Sequence, residues 1–255
     1  MTVGMELYAA SGILNVSTEF LTYFCRKTST ATTVARVGGN TNPSSLVIPV
    51  TGYTNPIVAF VGTNGLALSG KDASGNLVFA CTAAVGVVIT YYLFDQSNNL
   101  PISHVGLQLH NAAGQIVFNT SSHPMLALGA ILSPNATGSL TTTVSTQYTG
   151  KTVAIAPMAM GGHRKAGILF CNASGTTTIW NGSSACGDVQ YQNDGKVYGG
   201  KCSATDTVLT SIISWDDVKI SAGNSTSYTI PPDYNAPVTI LAIDVTGIPL
   251  NTTFF

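Results

Sequence analysis

The order of apolar and polar residues along the chain predicts β-strands rather than helices. Short runs rich in β-branched and apolar residues recur, each bounded by Gly, Pro, Asn or Asp. No window keeps apolar residues at the i, i+3, i+4, i+7 spacing of an amphipathic helix for three turns. The runs lie at residues 46–50, 57–62, 152–156, 208–214, 227–230 and 238–244. Short strands separated by dense turn residues are typical of sandwiches and barrels, so we expect an all-β fold.

One uncharged stretch, "VFACTAAVGVVITYYLF" at residues 78–94, resembles a membrane span at first sight. Its 17 residues fall short of the roughly 20 that a membrane helix needs, and they are rich in β-branched and aromatic residues around Gly86. We therefore expect two buried strands joined by a turn near residues 84–86, and no insertion into a membrane.

A short sequence occurs twice, as "GMELYAASGILNVST" at residues 4–18 and "GLQLHNAAGQIVFNTS" at residues 106–121. At an offset of 102, identical residues coincide at Gly4/Gly106, Leu7/Leu109, Ala10/Ala112, Gly12/Gly114 and Thr18/Thr120. The alternation of apolar and polar residues on both sides of Gly12 and Gly114 predicts two hairpins, with glycine where the turn needs a positive φ. The turns "DASG" and "NASG" place Gly75 and Gly175 in the same role.

A second parallel follows the hairpins in the same order. "ITYYLFD" at residues 89–95 lies over "VTILAID" at residues 238–244, a β-rich strand that ends in Asp each time. We therefore expect two tandem β-sandwich-like domains with related opening hairpins, at residues 1–101 and 102–255, joined near "QSNNLPISH". The second is larger, with loop insertions expected between residues 158 and 202. A single sandwich with repeated turns is the alternative.

Composition excludes several classes of function. Apolar residues make up 45% of the chain, which indicates a folded protein, but charged residues make up only 8% and the net charge is −1. Nucleic-acid binding needs a basic stripe, so we exclude it. The N-terminus has Glu6 and no basic segment before an apolar core, so we expect no signal peptide and synthesis in a cytosol.

The five cysteines are an odd number without a C-x-x-C motif. In a cytosol we expect free thiols, with Cys25 and Cys81 buried as small apolar side chains. The late cysteines Cys171, Cys186 and Cys202 leave a zinc site open as an alternative.

Residues that could support catalysis are few. "GGHRK" at residues 161–165 could receive an anion or a sugar, although a solvated loop is the plainer interpretation. Acidic residues that could form a glycosidase pair stand mostly in turn-like contexts, and no G-x-S-x-G, H-E-x-x-H or phosphate-binding loop occurs. These are Asp188, Asp194, Asp206, Asp216 and Asp217. We expect no enzymatic activity, no cofactor and no metal.

Candidate binding residues concentrate in the second predicted domain. Aromatic side chains can stack on sugar or protein, and His163 and Arg164 add polar contacts. The full set is Trp180, Tyr191, Tyr198, His163 and Arg164.

The two repeated openings, together with a β-rich region that closes on "YYLFD", resemble small β-rich proteins from the tail module of tailed bacteriophages. Those proteins begin with a similar glycine-containing hairpin, followed by a strand ending in an aromatic and an acidic or amide residue. The resemblance covers about 50 of the 255 residues. It implies a virion protein of the tail tip or baseplate, made in the host cytoplasm, that contacts other tail proteins and possesses no catalytic residues. A receptor- or carbohydrate-binding module of a tail fibre is the alternative.

Oligomerisation is expected on two grounds. A surface with few charges guards its sheet edges poorly, and a near-zero net charge gives little repulsion between copies. The chain also ends on Phe254 and Phe255, whose rings we expect to be buried against this chain or another. Because tail tips have threefold or sixfold axes, the resemblance favours a homotrimer.

Overall fold

The described part of the chain is all-β, as predicted. The computed structural model describes residues 6–8, 14–17, 22–36, 44–96, 107–119, 122–132, 145–159, 162–171, 179–180, 183–184, 189–221, 228–229, 234–236 and 238–254. Within these ranges all regular secondary structure is β-strand. The strands pair antiparallel in two large sheets and three small ones.

The strands fall into two series. The first series is β1 (Glu6–Tyr8), β2 (Leu14–Ser17), β3 (Tyr23–Thr32), β4 (Ser44–Ile48), β5 (Ile57–Val61), β6 (Leu66–Lys71), β7 (Leu77–Cys81) and β8 (Val88–Gln96). The second series starts with β9 (Gln108–His110), β10 (Ile116–Asn119), β11 (Leu126–Leu132), β12 (Ser145–Gln147), β13 (Val153–Pro157), β14 (Gly162–Cys171), β15 (Ile179–Trp180) and β16 (Ser183–Ser184). It ends with β17 (Val189–Ala204), β18 (Thr207–Ser221), β19 (Tyr228–Thr229), β20 (Tyr234–Ala236) and β21 (Thr239–Asp244).

The two repeated sequences form hairpins with the same register. In β1–β2 the pairs are Glu6–Ser17, Leu7–Val16 and Tyr8–Leu14. In β9–β10 they are Gln108–Asn119, Leu109–Phe118 and His110–Ile116, each 102 residues later, with the irregularity at the same position. The turn residues Gly114 and Gly75 have φ of +76° and +83°, which confirms the prediction for those two glycines. Gly12 and Gly175 lie outside the described residues.

Both large sheets contain strands from both series. The six-stranded sheet has the order β11-β21-β13-β5-β8-β3. The nine-stranded sheet has the path β12-β18-β17-β6-β7-β4, with β14, β15 and β20 branching from it. Reading outward from the centre of each sheet, β5-β8-β3 corresponds to β13-β21-β11, and β6-β7-β4 corresponds to β17-β18-β12. The second half therefore repeats the strand plan of the first.

The repeat extends to individual residue pairs. Phe24 lies opposite Asp95 in β3–β8, and Leu126 lies opposite Asp244 in β11–β21. A register shift follows one pair later in both cases, between Cys25 and Lys27 and, 102 residues later, between Ala127 and Gly129. A shared bulge at the same position indicates one strand plan used twice, because a bulge depends on the local backbone and not on the turn chemistry.

The six-stranded sheet closes on itself. Phe24 in β3 forms a bridge with Pro124, two residues before β11 begins. The Cys25 N–H donates to the His123 carbonyl and the Met125 N–H donates to the Tyr23 carbonyl, both at 2.8 Å. Hydrogen bonding therefore continues from the β3 edge into residues 123–125, the segment that leads into β11. This segment joins the two ends of the six-stranded sheet into a ring to which each half supplies three strands.

The halves also meet at one residue pair in each large sheet. Phe60 of β5 lies opposite Ile155 of β13, and Leu66 of β6 lies opposite Gly200 of β17. A Cβ atom on Gly199 would overlap the Leu66 carbonyl oxygen, so glycine is required for the two backbones to approach this closely.

Alternation along the ring strands separates the three largest clusters of the described core. In β8, Tyr91 and Leu93 pack towards the nine-stranded sheet in a first-half core, while Tyr92 and Phe94 pack on the opposite face. A second core of the same kind lies in the other half, around Ile155 and Ile240. The opposite faces of the ring strands form one cluster that includes Ala59, Ala154 and Ala156, so it lies inside the ring.

The C-terminal segment crosses from the second half to the first. After β21 it reaches the outer edge of β3, where Thr28 N–H donates to Thr252 and Phe254 N–H donates to Arg26, both at 2.8 Å. The Phe254 ring packs on His123, with ring centroids 4.9 Å apart. Phe254 therefore has a packing partner within its own chain, and Phe255 lies outside the described residues.

Two further expectations can be compared with the structure. The stretch at 78–94 forms β7 and β8, with Gly86 at φ +89° in the turn between them, as predicted. The span 158–202 was expected to hold loop insertions; its described residues lie mainly in β14, β15, β16 and β17, residues 160–161, 172–178, 181–182 and 185–188 lie outside the described residues, and the expectation stays a prediction. Its strands pair through backbone hydrogen bonds, which do not require alternating apolar residues. A polar sequence can therefore form strands without the alternation by which strands are predicted. The domain boundary at 101/102 falls in residues 97–106, outside the described residues, and stays a prediction.

Candidate functional site

The predicted binding residues all lie in one extension of the second half. β17 and β18 are paired from Ala204–Thr207 at the turn out to Val189–Ser221, well beyond the contacts with β6 and β12 near Gly200 and Leu209. β14 pairs with β17, and β15 and β20 pair with β14. The strands β14, β15 and β20 have no counterpart among the described residues of the first half, so this extension distinguishes the described parts of the two halves.

The extension separates the candidates into two groups along its length. His163 lies opposite Lys196, and Arg164 lies opposite Gly195, close in register to Tyr198 and the core. Trp180 lies opposite Gly167, and Tyr191 lies opposite the next residue, Ile168. Seven residues of strand separate Tyr191 from Tyr198, or about 23 Å. Trp180 and Tyr191 therefore lie at successive register positions in two strands that β14 separates, while His163, Arg164 and Tyr198 belong to a separate group.

The segment "GGHRK" was expected to be a solvated loop, and this was wrong for the residues the structure describes. Gly162 to Lys165 form the start of β14, where all four residues pair with β17 and the first three also pair with β20 on the other side. Both edges of this backbone are engaged in sheet hydrogen bonds, because β14 is a central strand of the extension. An anion-binding backbone loop is thus absent from this described segment.

The acidic residues also lie mainly in strands. Asp194 in β17 lies opposite Lys165 on one side and Asp216 on the other, and Asp217 lies opposite Asn193. Asp206 lies in the turn between β17 and β18, where its carboxylate accepts a hydrogen bond from the Gln147 amide at 3.2 Å. Asp188 lies outside the described residues. Within the described residues no group of three or more His, Cys, Asp or Glu could hold a metal ion.

A pocket lies where the two halves meet, and the sequence analysis did not predict it. Its volume is about 330 Å³, and it opens between the start of β5, the β6–β7 hairpin and the end of β13. Its lining is Tyr23, Thr54, Asn55, Pro56, Ile57, Val58, Leu68, Lys71, Leu77, Phe79, Pro157 and Met158. Eight of these twelve side chains are apolar, and Lys71 is the charged one.

One wall of the pocket is held by a buried carboxylate. Asp95, at 0% exposure, accepts hydrogen bonds from the backbone N–H groups of Thr54 and Asn55 at 3.0 and 2.9 Å. The Asn55 side-chain amide donates to Gln96 at 3.1 Å. The strand-ending aspartate that the sequence repeats thus fixes the segment leading into β5, and with it the pocket wall.

The opposite wall is held by the tight turn of the β6–β7 hairpin. The Asp72 carboxylate accepts hydrogen bonds from the Ser74 and Asn76 N–H groups at 2.9 Å, and from the Asn76 side chain at the same distance. These bonds lower the pKa of Asp72 below its usual value. Lys71 and Leu77 lie directly opposite each other in register beside this turn, and both line the pocket.

The hydroxyl of Tyr23 at the pocket edge is already bonded. Partial burial raises its pKa, and the nearby Asp95 charge adds to this, while a hydrogen bond to Gln96 acts in the other direction. Lys71 differs, because its ammonium has no hydrogen-bond or ion-pair partner among the described residues. The pocket therefore combines a mainly apolar surface with one cation, the Lys71 ammonium, that has no partner among the described residues.

The three cysteines whose side chains the structure describes lie in the core. Cys25, Cys81 and Cys202 are buried free thiols, which confirms the expectation for the first two. Burial raises the pKa of Cys25 to about 12 and raises those of Cys81 and Cys202. The Cys202 thiol donates to the Val153 carbonyl, 3.3 Å away in the second-half core. Because Cys186 and the side chain of Cys171 lie outside the described part of the chain, the zinc site stays an untested alternative.

No protein-family model, curated protein or solved structure matches this chain. No helix in the described ranges has the length and apolar character needed to cross a membrane.

Proposed function

We propose that the chain is a structural protein of a tailed-bacteriophage particle, located in the tail tip or baseplate, where it contributes to tail assembly. The observation that carries this proposal is that the segments behind the resemblance form the elements it implies. The two glycine-containing openings are hairpins of identical register, and "YYLFD" is the end of β8, closed by the buried Asp95. These elements support the proposal, because the resemblance implies a glycine-containing hairpin and a strand of this kind.

Assembly through sheet edges fits the surface of the molecule. β12 is the last strand of the path through the nine-stranded sheet, pairs with β18, and exposes all three of its residues, Ser145, Thr146 and Gln147. An exposed, uncharged strand at an edge can pair with a strand of another chain. With charged residues at only 8% of the sequence, few charges oppose such contacts. We propose other tail proteins as the partners and a homotrimer as the oligomer.

A second candidate function is host attachment, as a receptor- or carbohydrate-binding module. It is favoured by one observation: all five candidate residues lie in β14, in β15 or in the part of β17 that runs beyond its pairing with β6, and β14 and β15 have no counterpart among the described residues of the first half. Among the candidates, the aromatic residues Trp180 and Tyr191 are suited to stacking on a sugar ring or an exposed protein strand.

The structural role is tested on particles. Cells carrying the gene are induced, the particles are purified, and the chain is quantified by mass spectrometry and located by immunogold electron microscopy. The proposal expects the chain in fixed proportion to the tail proteins, with label at the tail end. A chain that is expressed but missing from purified particles would refute it. Light scattering of the purified protein tests the trimer separately.

Host attachment is tested with the isolated protein on host cells and on a glycan array. Trp180→Ala and Tyr191→Ala should weaken binding, whereas Tyr53→Ala, in the first half, should leave it unchanged. If the protein binds neither cells nor glycans, host attachment is wrong while the structural role stands.

A further inference from the structure

The pocket at the junction of the halves has properties that no part of the proposed function uses. Its floor is formed by Ile57 and Val58 of β5, by Leu68 and Phe79 of the β6–β7 hairpin, and by Pro157 at the end of β13. A volume of about 330 Å³ lies within the usual range for small-molecule sites, which starts at about 300 Å³. The pocket is thus large enough for a small organic molecule.

The walls are preformed. The Asp95 carboxylate fixes the segment 54–56, the Asp72 carboxylate braces the hairpin turn, and the Met158 N–H donates to Thr239 at 2.9 Å. A site whose walls are already held by internal hydrogen bonds loses little conformational entropy when a ligand enters. The pocket does not need to be assembled by the ligand.

The polar groups of the pocket lining indicate which charge a ligand would carry. The N–H groups of Thr54 and Asn55 are committed to Asp95, and the Tyr23 hydroxyl is bonded to Gln96. Lys71 lines the same pocket, and no carboxylate pairs with it among the described residues. A cation beside an apolar surface attracts a molecule that has an apolar body and one negative group.

We propose that this pocket binds a small organic anion, with its apolar body on the floor formed by Val58, Leu68 and Phe79 and its anionic group beside the Lys71 ammonium. The site is independent of the role in the particle, because it lies at the junction of the halves and uses none of the candidate residues in the extension.

Octanoate and 1-octanol are the probes, titrated calorimetrically into the full chain below the concentration at which octanoate forms micelles. The two have the same apolar chain and differ in the charged group. Octanoate should bind more tightly than octanol, and added salt should weaken octanoate alone. Because Lys71 is exposed, Lys71→Gln should weaken octanoate by roughly threefold and leave octanol unchanged. The matched control Lys201→Gln, outside the pocket lining, should bind both as the parent does.

A second variant tests the location. Met158→Trp adds bulk at the pocket mouth and should weaken octanoate and octanol together. Equal affinity for the two probes, an unchanged octanoate affinity in Lys71→Gln, or no binding of octanoate would each overturn the proposal. Binding that survives Met158→Trp unchanged would place the ligand elsewhere and would overturn it as well.

Discussion

Asp95 and Asp244 occupy the same position in the two halves and hold corresponding segments. Each ends the central strand of its half of the ring, β8 or β21, and each binds the segment that leads into the next ring strand. Asp95 accepts two backbone N–H groups before β5, whereas Asp244 forms an ion pair of 2.8 Å with Lys151, just before β13. The repeated strand-ending aspartate therefore serves one structural purpose through two different sets of partners.

Asp95→Ala should lower the free energy of unfolding by about 2–3 kcal/mol, because it removes two charge-assisted hydrogen bonds from a fully buried carboxylate. Urea denaturation followed by circular dichroism measures the loss. Asp72→Ala is the control: it also removes turn hydrogen bonds from a carboxylate, but from one that is only partly buried, and its effect should be much smaller. Equal effects of the two variants would mean that Asp95 does not hold the segment before β5.

The ion pair of Asp244 makes stability depend on pH. Burial raises the pKa of Asp244, but the hydrogen bond and charge of Lys151 and the hydrogen bonds of Thr246 outweigh it and leave the pKa below its usual value. A lowered pKa in the folded state contributes stability that is fully present above the unfolded-state value of about 4 and is lost as the pH falls through the folded-state value.

Lys151→Met should therefore destabilise the protein most at neutral pH, because the buried carboxylate then lacks its cation. The difference in urea midpoint between the parent and Lys151→Met should shrink as the pH is lowered from 7 towards about 2.5. A difference that stays constant over this interval would show that the ion pair does not set the pKa of Asp244.

The close approach of the halves at Gly199 predicts a severe effect of the smallest side chain. In Gly199→Ala the new Cβ would overlap the Leu66 carbonyl oxygen, so β17 and β6 must separate, at a cost above about 2 kcal/mol. Gly52→Ala is the control. Gly52 has φ of +88° but nothing within 4 Å of the added atom, so its cost comes from backbone strain alone, about 1 kcal/mol. Thermal unfolding of both variants measures the difference, and an equal shift would contradict the contact.

The buried thiols should be unreactive in the folded protein. At pH 8 iodoacetamide should leave Cys25, Cys81 and Cys202 unmodified, because each is buried and the pKa of each is raised, that of Cys25 to about 12. In urea without reductant all three should be modified, as peptide mass spectrometry would show. Resistance in urea would indicate disulfides, and rapid modification of Cys25 in the native protein would place it outside the core.

The sequence predicted what depends on local chemistry. The hairpin at residues 108–119 could be placed because alternating apolar residues flank a glycine that needs a positive φ, and Gly114 has φ of +76°. The parallel between residues 89–95 and 238–244 identified β8 and β21 as equivalent strands for the same reason: each is a short apolar run that ends in Asp.

Features that depend on distant pairing could not be predicted. The ring closes through Phe24 and Pro124, a hundred residues apart, and proline is not a residue from which a strand pairing is expected. β3 includes Arg26 at its bulge, where a charge interrupts the alternation. The pocket could not be predicted from the sequence, because the residues of its walls come together only where the two halves join. These residues lie at 54–58, 68–79 and 157–158.

The closed ring with three strands from each half is the central structural claim, and amide hydrogen exchange measured by NMR tests it most directly. The N–H groups of Cys25 and Met125 donate across the junction between β3 and the start of β11. Both should be protected to a degree comparable with Leu93 in β8, which lies between two strands whether or not the ring is closed. If Leu93 is protected while Cys25 and Met125 exchange as fast as amides in an unpaired edge, the sheet is open and the account of the two halves is wrong.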